Sequence, residues 1–147
     1  MVYDESVRLP GCAWTGEHSA QGFARRESTV NFGTLLEFGY ADVAIAGSAY
    51  QPQKEYERVI AVPFLVTSGK VIVEGPEETA TERNVRLPPG DYLLIAAQSV
   101  TGEKEESIDL SFELLAKPLE QSCVLVADKA LRVPNRLVET AEVAGES

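Results

Sequence analysis

Apolar residues in this chain recur mostly at every second position, the period of a strand with one buried face, and seldom at the three-to-four spacing of a helix. Ser28 to Phe38 alternates through Val30, Phe32, Leu35 and Leu36, with Gly33 interrupting. Asp42 to Ala46 is short and apolar, and Arg58 to Thr67 is rich in β-branched residues. Pro63 inside that run has no N–H to donate, which predicts an edge strand or a bulge there. Ser68-Gly69 then reads as a tight turn, with Lys70 to Glu74 returning as the second arm of a hairpin.

The remaining pattern continues in short units. Gly75 to Glu82 is polar and reads as a loop before a short strand at Asn84 to Leu87. Pro88-Pro89-Gly90-Asp91 is turn chemistry, because proline presets φ and glycine tolerates positive φ. Tyr92 to Ala97 is a core strand and Thr101 to Glu106 a charged turn. Ile108 to Leu115 alternates cleanly, with Ile108, Leu110, Phe112 and Leu114 on one face. Cys123 to Ala127 is a further strand, and Leu131 to Val143 fits a strand or a loose helix equally. One helix is expected near the N-terminus, where Thr15 suits an N-cap, Glu17 the first turn and Gly22 the C-terminal end. About nine strands, Gly and Pro turns and one short helix predict a mainly β, antiparallel sandwich or barrel.

At 147 residues, 44% hydrophobic and 24% charged, the chain fits one domain spanning 1–147 with an adequate core. Thirteen Lys and Arg against 23 Asp and Glu give a formal charge of −10. Such a field repels nucleic acid and anionic membranes, and it attracts basic proteins. The same acidity also serves solubility alone. The opening residues Met1 to Ser6 lack the basic and apolar regions of a signal peptide, so a cytoplasmic location is expected. Cys12 and Cys123 have apolar neighbours and read as reduced, buried thiols.

Candidate chemistry is sparse. The single histidine, His18, lies on the expected helix and reads as a structural or capping residue. No Cys pair, His pair or calcium-loop pattern suggests a metal, and no glycine-rich phosphate cradle suggests a nucleotide, so no cofactor and no catalytic residue is assigned. The acidic turns stand out instead: Glu74, Glu77, Glu78 and Glu82 before one strand, Glu103, Glu105 and Glu106 after another. Brought together, these seven carboxylates make a negative patch suited to a partner with a basic groove, in the way an inhibitor imitates phosphates.

Three segments in order sharpen this reading: Trp14-Thr15-Gly16-Glu17 with Gly22-Phe23-Ala24, Val62-Pro63-Phe64 with Val66-Thr67, and Leu87-Pro88 with Gly90-Asp91-Tyr92. Together with Ile72 and Glu74 they resemble the competence protein J family over about residues 14–97. That resemblance implies a cytoplasmic, β-rich bacterial protein that inhibits a DNA-entry nuclease by binding it. It assigns no inhibitory residues, and segment 117–147 departs from it. The expectation is therefore a non-enzymatic, acidic nuclease inhibitor that masks a basic substrate groove, with a homodimer through the Pro63 edge as a further possibility. The competing expectations are a β-sandwich module for a small ligand such as a sugar, recognisable by a concave apolar pocket, and an enzyme built on two buried carboxyls.

Overall fold

A computed structural model of the chain describes residues 1–36, 40–46, 55–75 and 83–144. Among the described residues, ten strands form two five-stranded sheets that face one another, with one six-residue helix. The first sheet has the order β2-β3-β1-β6-β7, from β1 (Val2–Asp4), β2 (Phe23–Arg26), β3 (Thr29–Phe32), β6 (Lys70–Val73) and β7 (Arg83–Arg86). The second has the order β10-β5-β8-β9-β4, from β4 (Tyr40–Ala46), β5 (Arg58–Val66), β8 (Gly90–Gly102), β9 (Glu105–Leu114) and β10 (Cys123–Val126). The architecture is a sandwich, not a closed barrel. Every pairing is antiparallel except β4 with β9, which run parallel from Tyr40↔Glu105 to Ala46↔Ser111.

Alternation explains the core. The even-numbered residues Ile60, Val62, Phe64 and Val66 of β5 join Leu94, Ala96, Ile108 and Leu110 across from Val2, Phe23, Val30, Val71 and Val73. Phe23, Ile60, Phe64 and Leu94 are buried almost completely; each contributes roughly 1.5–3 kcal/mol from removal of apolar surface. Phe112 stands edge-on to both Phe64 and Tyr92, with centroids at 6.1 and 6.4 Å. The odd-numbered residues Val59 and Ala61 face the other way and form a smaller cluster with Ile95 and Ala97.

Two strand assignments differ from the pattern-based expectation. Lys70–Val73 does not return beside β5; β6 pairs with β1 and β7 in the other sheet. Thr67 to Gly69 is therefore a crossover between sheets, and Asp4 holds it. The Asp4 carboxylate is fully buried and accepts from Ser6 N, Ser6 Oγ, Thr67 N, Thr67 Oγ1 and Ser68 N at 2.7–3.2 Å. Burial alone would raise its pKa, but these hydrogen bonds, from Ser6 foremost and then Thr67 and Ser68, hold it well below the usual carboxylate range. β1 and β2 were not legible as strands: three and four residues are too few to show a period.

Pro63 is the second difference. β5 is not an edge strand, because β10 lies outside it, and its register with β8 is unbroken from Arg58↔Gln98 to Val66↔Gly90. The N–H of Leu65, two residues on, points away from β8 and donates to Glu27 O at 3.0 Å. By the two-residue period, the imide of Pro63 points to that same outer side. β10 pairs only with Val59 to Ala61, so it has ended before Pro63 and no ladder bond is lost.

The helix forms as its caps dictate. α1 (Gly16–Gln21) begins at N-cap Thr15, whose Oγ1 accepts from His18 N at 3.4 Å, while His18 Nδ1 accepts from Thr15 N at 3.0 Å. This is a capping box with histidine in the place of the usual Glu or Gln. Gly22 ends the helix at φ 90°, and its N–H donates to His18 O. A Cβ there would also lie 3.0 Å from Ile60 Cδ1.

Residues after β9 fold back over the domain. Cys123 to Val126 add β10, and Leu131 to Val143 is neither strand nor helix apart from one bridge, Cys12↔Val143. The stretch is held by polar contacts. Gln21 grips the main chain of Val138 twice, Nε2 donating to its O at 2.9 Å and Oε1 accepting from its N at 2.8 Å. His18 Nε2 meets Thr140 O at 3.1 Å, and Arg25 Nη1 donates to Glu139 O at 2.8 Å. Because Nδ1 accepts from Thr15, His18 carries its proton on Nε2 and donates to Thr140. The reading of His18 as a capping residue holds. Cys12 is buried and free as expected, whereas Cys123 is free but exposed, since it sits on the outermost strand of its sheet.

Candidate functional site

The seven carboxylates singled out in the sequence do not share one role. Glu77, Glu78 and Glu82 lie outside the described residues. Glu103 and Glu105 are exposed at the turn joining β8 to β9, the two longest strands. Glu74 follows β6 and is half-buried; its Oε1 accepts from Tyr3 Oη at 2.7 Å.

Glu106 departs from the expectation of a surface residue. It is 2% exposed, and its Oε2 and Oε1 accept from the backbone N–H groups of Leu35 and Leu36 at 2.9 and 3.2 Å. Position in the strand is the reason: Glu106 has the parity of Ile108 and Leu110, the inward face of β9. There it closes the chain segment leading to β4. It is a structural carboxylate, not part of an exposed patch.

The geometry also places Glu74 relative to the Glu103–Glu106 turn. Glu74 and Gly75 border a cavity that reaches Ala41, Val43 and Ile108 in the opposite sheet. Ala41 pairs with Glu106 and Tyr40 with Glu105, so the end of β6 and the start of β9 lie toward one end of the sandwich. Exposed carboxylate at this end comes from Glu103, Glu105 and Asp42, which pairs with Ser107, with Glu74 at the cavity rim.

Several residues that organise this arrangement carried no local signal. Asp4 holds the sheet crossover, and Arg58 joins the domain to the C-terminal segment through Asp128, with Nε to Oδ1 at 2.7 Å. Arg58 also donates from Nη1 to Gly33 O at 3.2 Å, which accepts from Gln98 Nε2 at 2.8 Å as well. Burial alone would raise the pKa of Asp128, but the hydrogen bond and charge of Arg58 lower it below its ordinary value. A buried Arg in a strand and an Asp seventy positions away become partners only once the chain folds. Among the described residues, no group of three or more His, Cys, Asp or Glu is placed to hold a metal ion. Among the described residues, no helix is long and apolar enough to cross a membrane.

The fold is thus a two-layer β-sandwich with a capped helix packed at one side and the exposed Glu103–Glu105 turn at one end. The chain belongs to the competence protein J (ComJ) family, whose model matches residues 1–116. Among solved structures it is similar to a crystal structure of ComJ from Bacillus subtilis, described as an inhibitor of the DNA-degrading activity of NucA. The two superpose with a TM-score of 0.61 at 22% identity, covering 75% of this chain and 84% of that one. No curated protein matches the chain significantly in sequence. The family match ends two residues past β9, so β10 and the folded-back segment lie beyond it.

Proposed function

We propose that this protein is a nuclease inhibitor that works by binding, covering the basic groove through which a DNase holds its substrate. Membership of the ComJ family carries the reading, together with the NucA-inhibiting activity ascribed to the Bacillus subtilis relative. The charge of −10 supplies the physical means. A nuclease groove carries Lys and Arg to neutralise phosphates, and carboxylates held on a rigid scaffold meet those same groups without a hydrolysable bond. Glu103 and Glu105, exposed where β8 turns into β9, are displayed for this, and Glu74 stands at the same end. The protein acts as a stoichiometric binder, not an enzyme, and shares the bacterial cytoplasm with its target.

Inhibition assays with a cognate DNase test the reading. Activity falls to baseline near equimolar inhibitor, and the inhibition constant weakens as salt rises, because exposed charges are screened. Tight binding to DNA with no effect on any nuclease would refute it.

A further inference from the structure

Trp14, the only tryptophan of the chain, stands 39% exposed at the entrance to α1. It directly precedes the N-cap, a position where an apolar side chain commonly packs on the fourth residue of the helix. Here that residue is Ser19, polar and exposed, so this local use of an apolar side chain is not made.

The indole is nevertheless fixed. Its ring meets that of His18 edge-on, with centroids 6.2 Å apart. His18 is itself held at both ring nitrogens, by Thr15 N at 3.0 Å and Thr140 O at 3.1 Å. A Cβ added to Gly33 would come within 3.6 Å of Trp14 Cη2, so the ring also lies against that main chain. Gly33 is anchored in turn by Gly22 O, Arg58 and Gln98. An exposed aromatic side chain that is already immobilised loses little entropy when a partner covers it.

The surroundings of Trp14 are acidic. Glu17, on the first turn of α1, is exposed. So is Glu142, whose carbonyl oxygen accepts from Ala13 N at 2.8 Å. Glu74 borders the same opening between the sheets as Trp14, which puts the indole toward the end where Glu103 and Glu105 are displayed. Carboxylates alone attract any cation. An indole among them favours a Lys or Arg side chain, whose alkyl stem packs on the ring while its charge is drawn to the aromatic face.

We propose that Trp14 is the apolar anchor of the nuclease interface and receives an Arg or Lys side chain from the basic groove of the nuclease, with Glu17 and Glu142 beside it as counter-charges. This inference rests on the reading of the protein as a nuclease inhibitor, and it names the residue on which that contact turns.

The test uses the full-length protein and the DNase that it inhibits. Trp14→Ala is expected to weaken inhibition roughly 30-fold, as loss of a buried aromatic anchor does, and Trp14→Phe roughly fivefold. Both act through faster dissociation and leave the association rate and its salt dependence unchanged. Glu103→Lys with Glu105→Lys slows association instead. A second measurement needs no variant to fold. Protein carrying 5-fluorotryptophan has a single 19F resonance, which shifts on addition of one equivalent of unlabelled nuclease and is no longer broadened by a soluble gadolinium chelate. An unchanged inhibition constant in a folded Trp14→Ala variant overturns this inference and leaves the inhibitor reading standing, as does a resonance that the chelate broadens equally in the complex. A wild-type protein that inhibits no DNase overturns both.

Discussion

Arg58 Nε donates to Asp128 Oδ1 at 2.7 Å, and the two side chains, 4% and 19% exposed, tie the middle of the second sheet to the segment that follows β10. Neither charge is fully solvated, so each depends on the other. Removing only one partner leaves an uncompensated buried ion, which is costlier than removing both. Asp128→Ala is expected to destabilise the protein by about 3–5 kcal/mol, and Arg58→Met with Asp128→Leu by clearly less. Urea unfolding of the single and double variants checks this; a double variant as unstable as the sum of the singles would contradict it.

Acid stability should depend on Asp4. Its native pKa lies well below the unfolded value of about 3.9. A carboxyl with a depressed native pKa contributes stability that is complete above the unfolded pKa and fades as pH falls toward the native one. Wild-type Tm is therefore expected to drop steeply below about pH 4. Asp4→Asn, which cannot accept all five hydrogen bonds, is less stable at pH 7, and its Tm falls less steeply in acid. Differential scanning calorimetry between pH 2 and 7 measures both slopes.

Opening of the C-terminal segment can be separated from global unfolding. Few of its side chains are buried, and Leu131 is the main apolar anchor, at 6% exposure. The twin hydrogen bonds from Gln21 to Val138 hold its middle. Gln21→Met keeps the volume but removes both bonds, and should cost this segment about 1–3 kcal/mol. Native-state hydrogen exchange is expected to show faster exchange at Val138 with no change at the core amides of β8.

Inhibition and folding should respond to different glutamates. Glu103→Lys with Glu105→Lys lies on an exposed turn, so stability changes by no more than about 0.5 kcal/mol. Association with the nuclease slows, most at low salt. Glu106→Ala has the opposite profile: it strands the Leu35 and Leu36 amides and costs about 1–3 kcal/mol. Paired measurements of Tm and inhibition constant distinguish the two.

Much of the fold could be read from the chain because its signals are local. The β-branched run of β5, the alternation of β9 and the turn chemistry of Pro88 to Gly90 belong to neighbouring residues, as do the caps Thr15 and Gly22. The family resemblance over residues 14–97 rested on the same stretches and extends, in the matched family, to 1–116. The candidate site was only partly legible. Glu103 and Glu105 are exposed as expected, while Glu106 faces inward, because a run of like residues in sequence splits between two faces once it enters a strand.

What the sequence determined by itself was therefore the class of the protein: a mainly β, acidic domain with one capped helix, specified by short-range periods and by composition. Only the tertiary structure decided which strands are neighbours. Ser68-Gly69 is equally good chemistry for a hairpin and for a crossover, and the choice lies with Asp4, more than sixty residues away, whose buried carboxylate accepts from the crossover amides of Thr67 and Ser68 in addition to Ser6. The same holds for the Arg58–Asp128 tie and for the twin bonds between Gln21 and Val138. Their energies come from desolvation and hydrogen bonding between distant segments, and no local pattern encodes a partner that folding has yet to bring near.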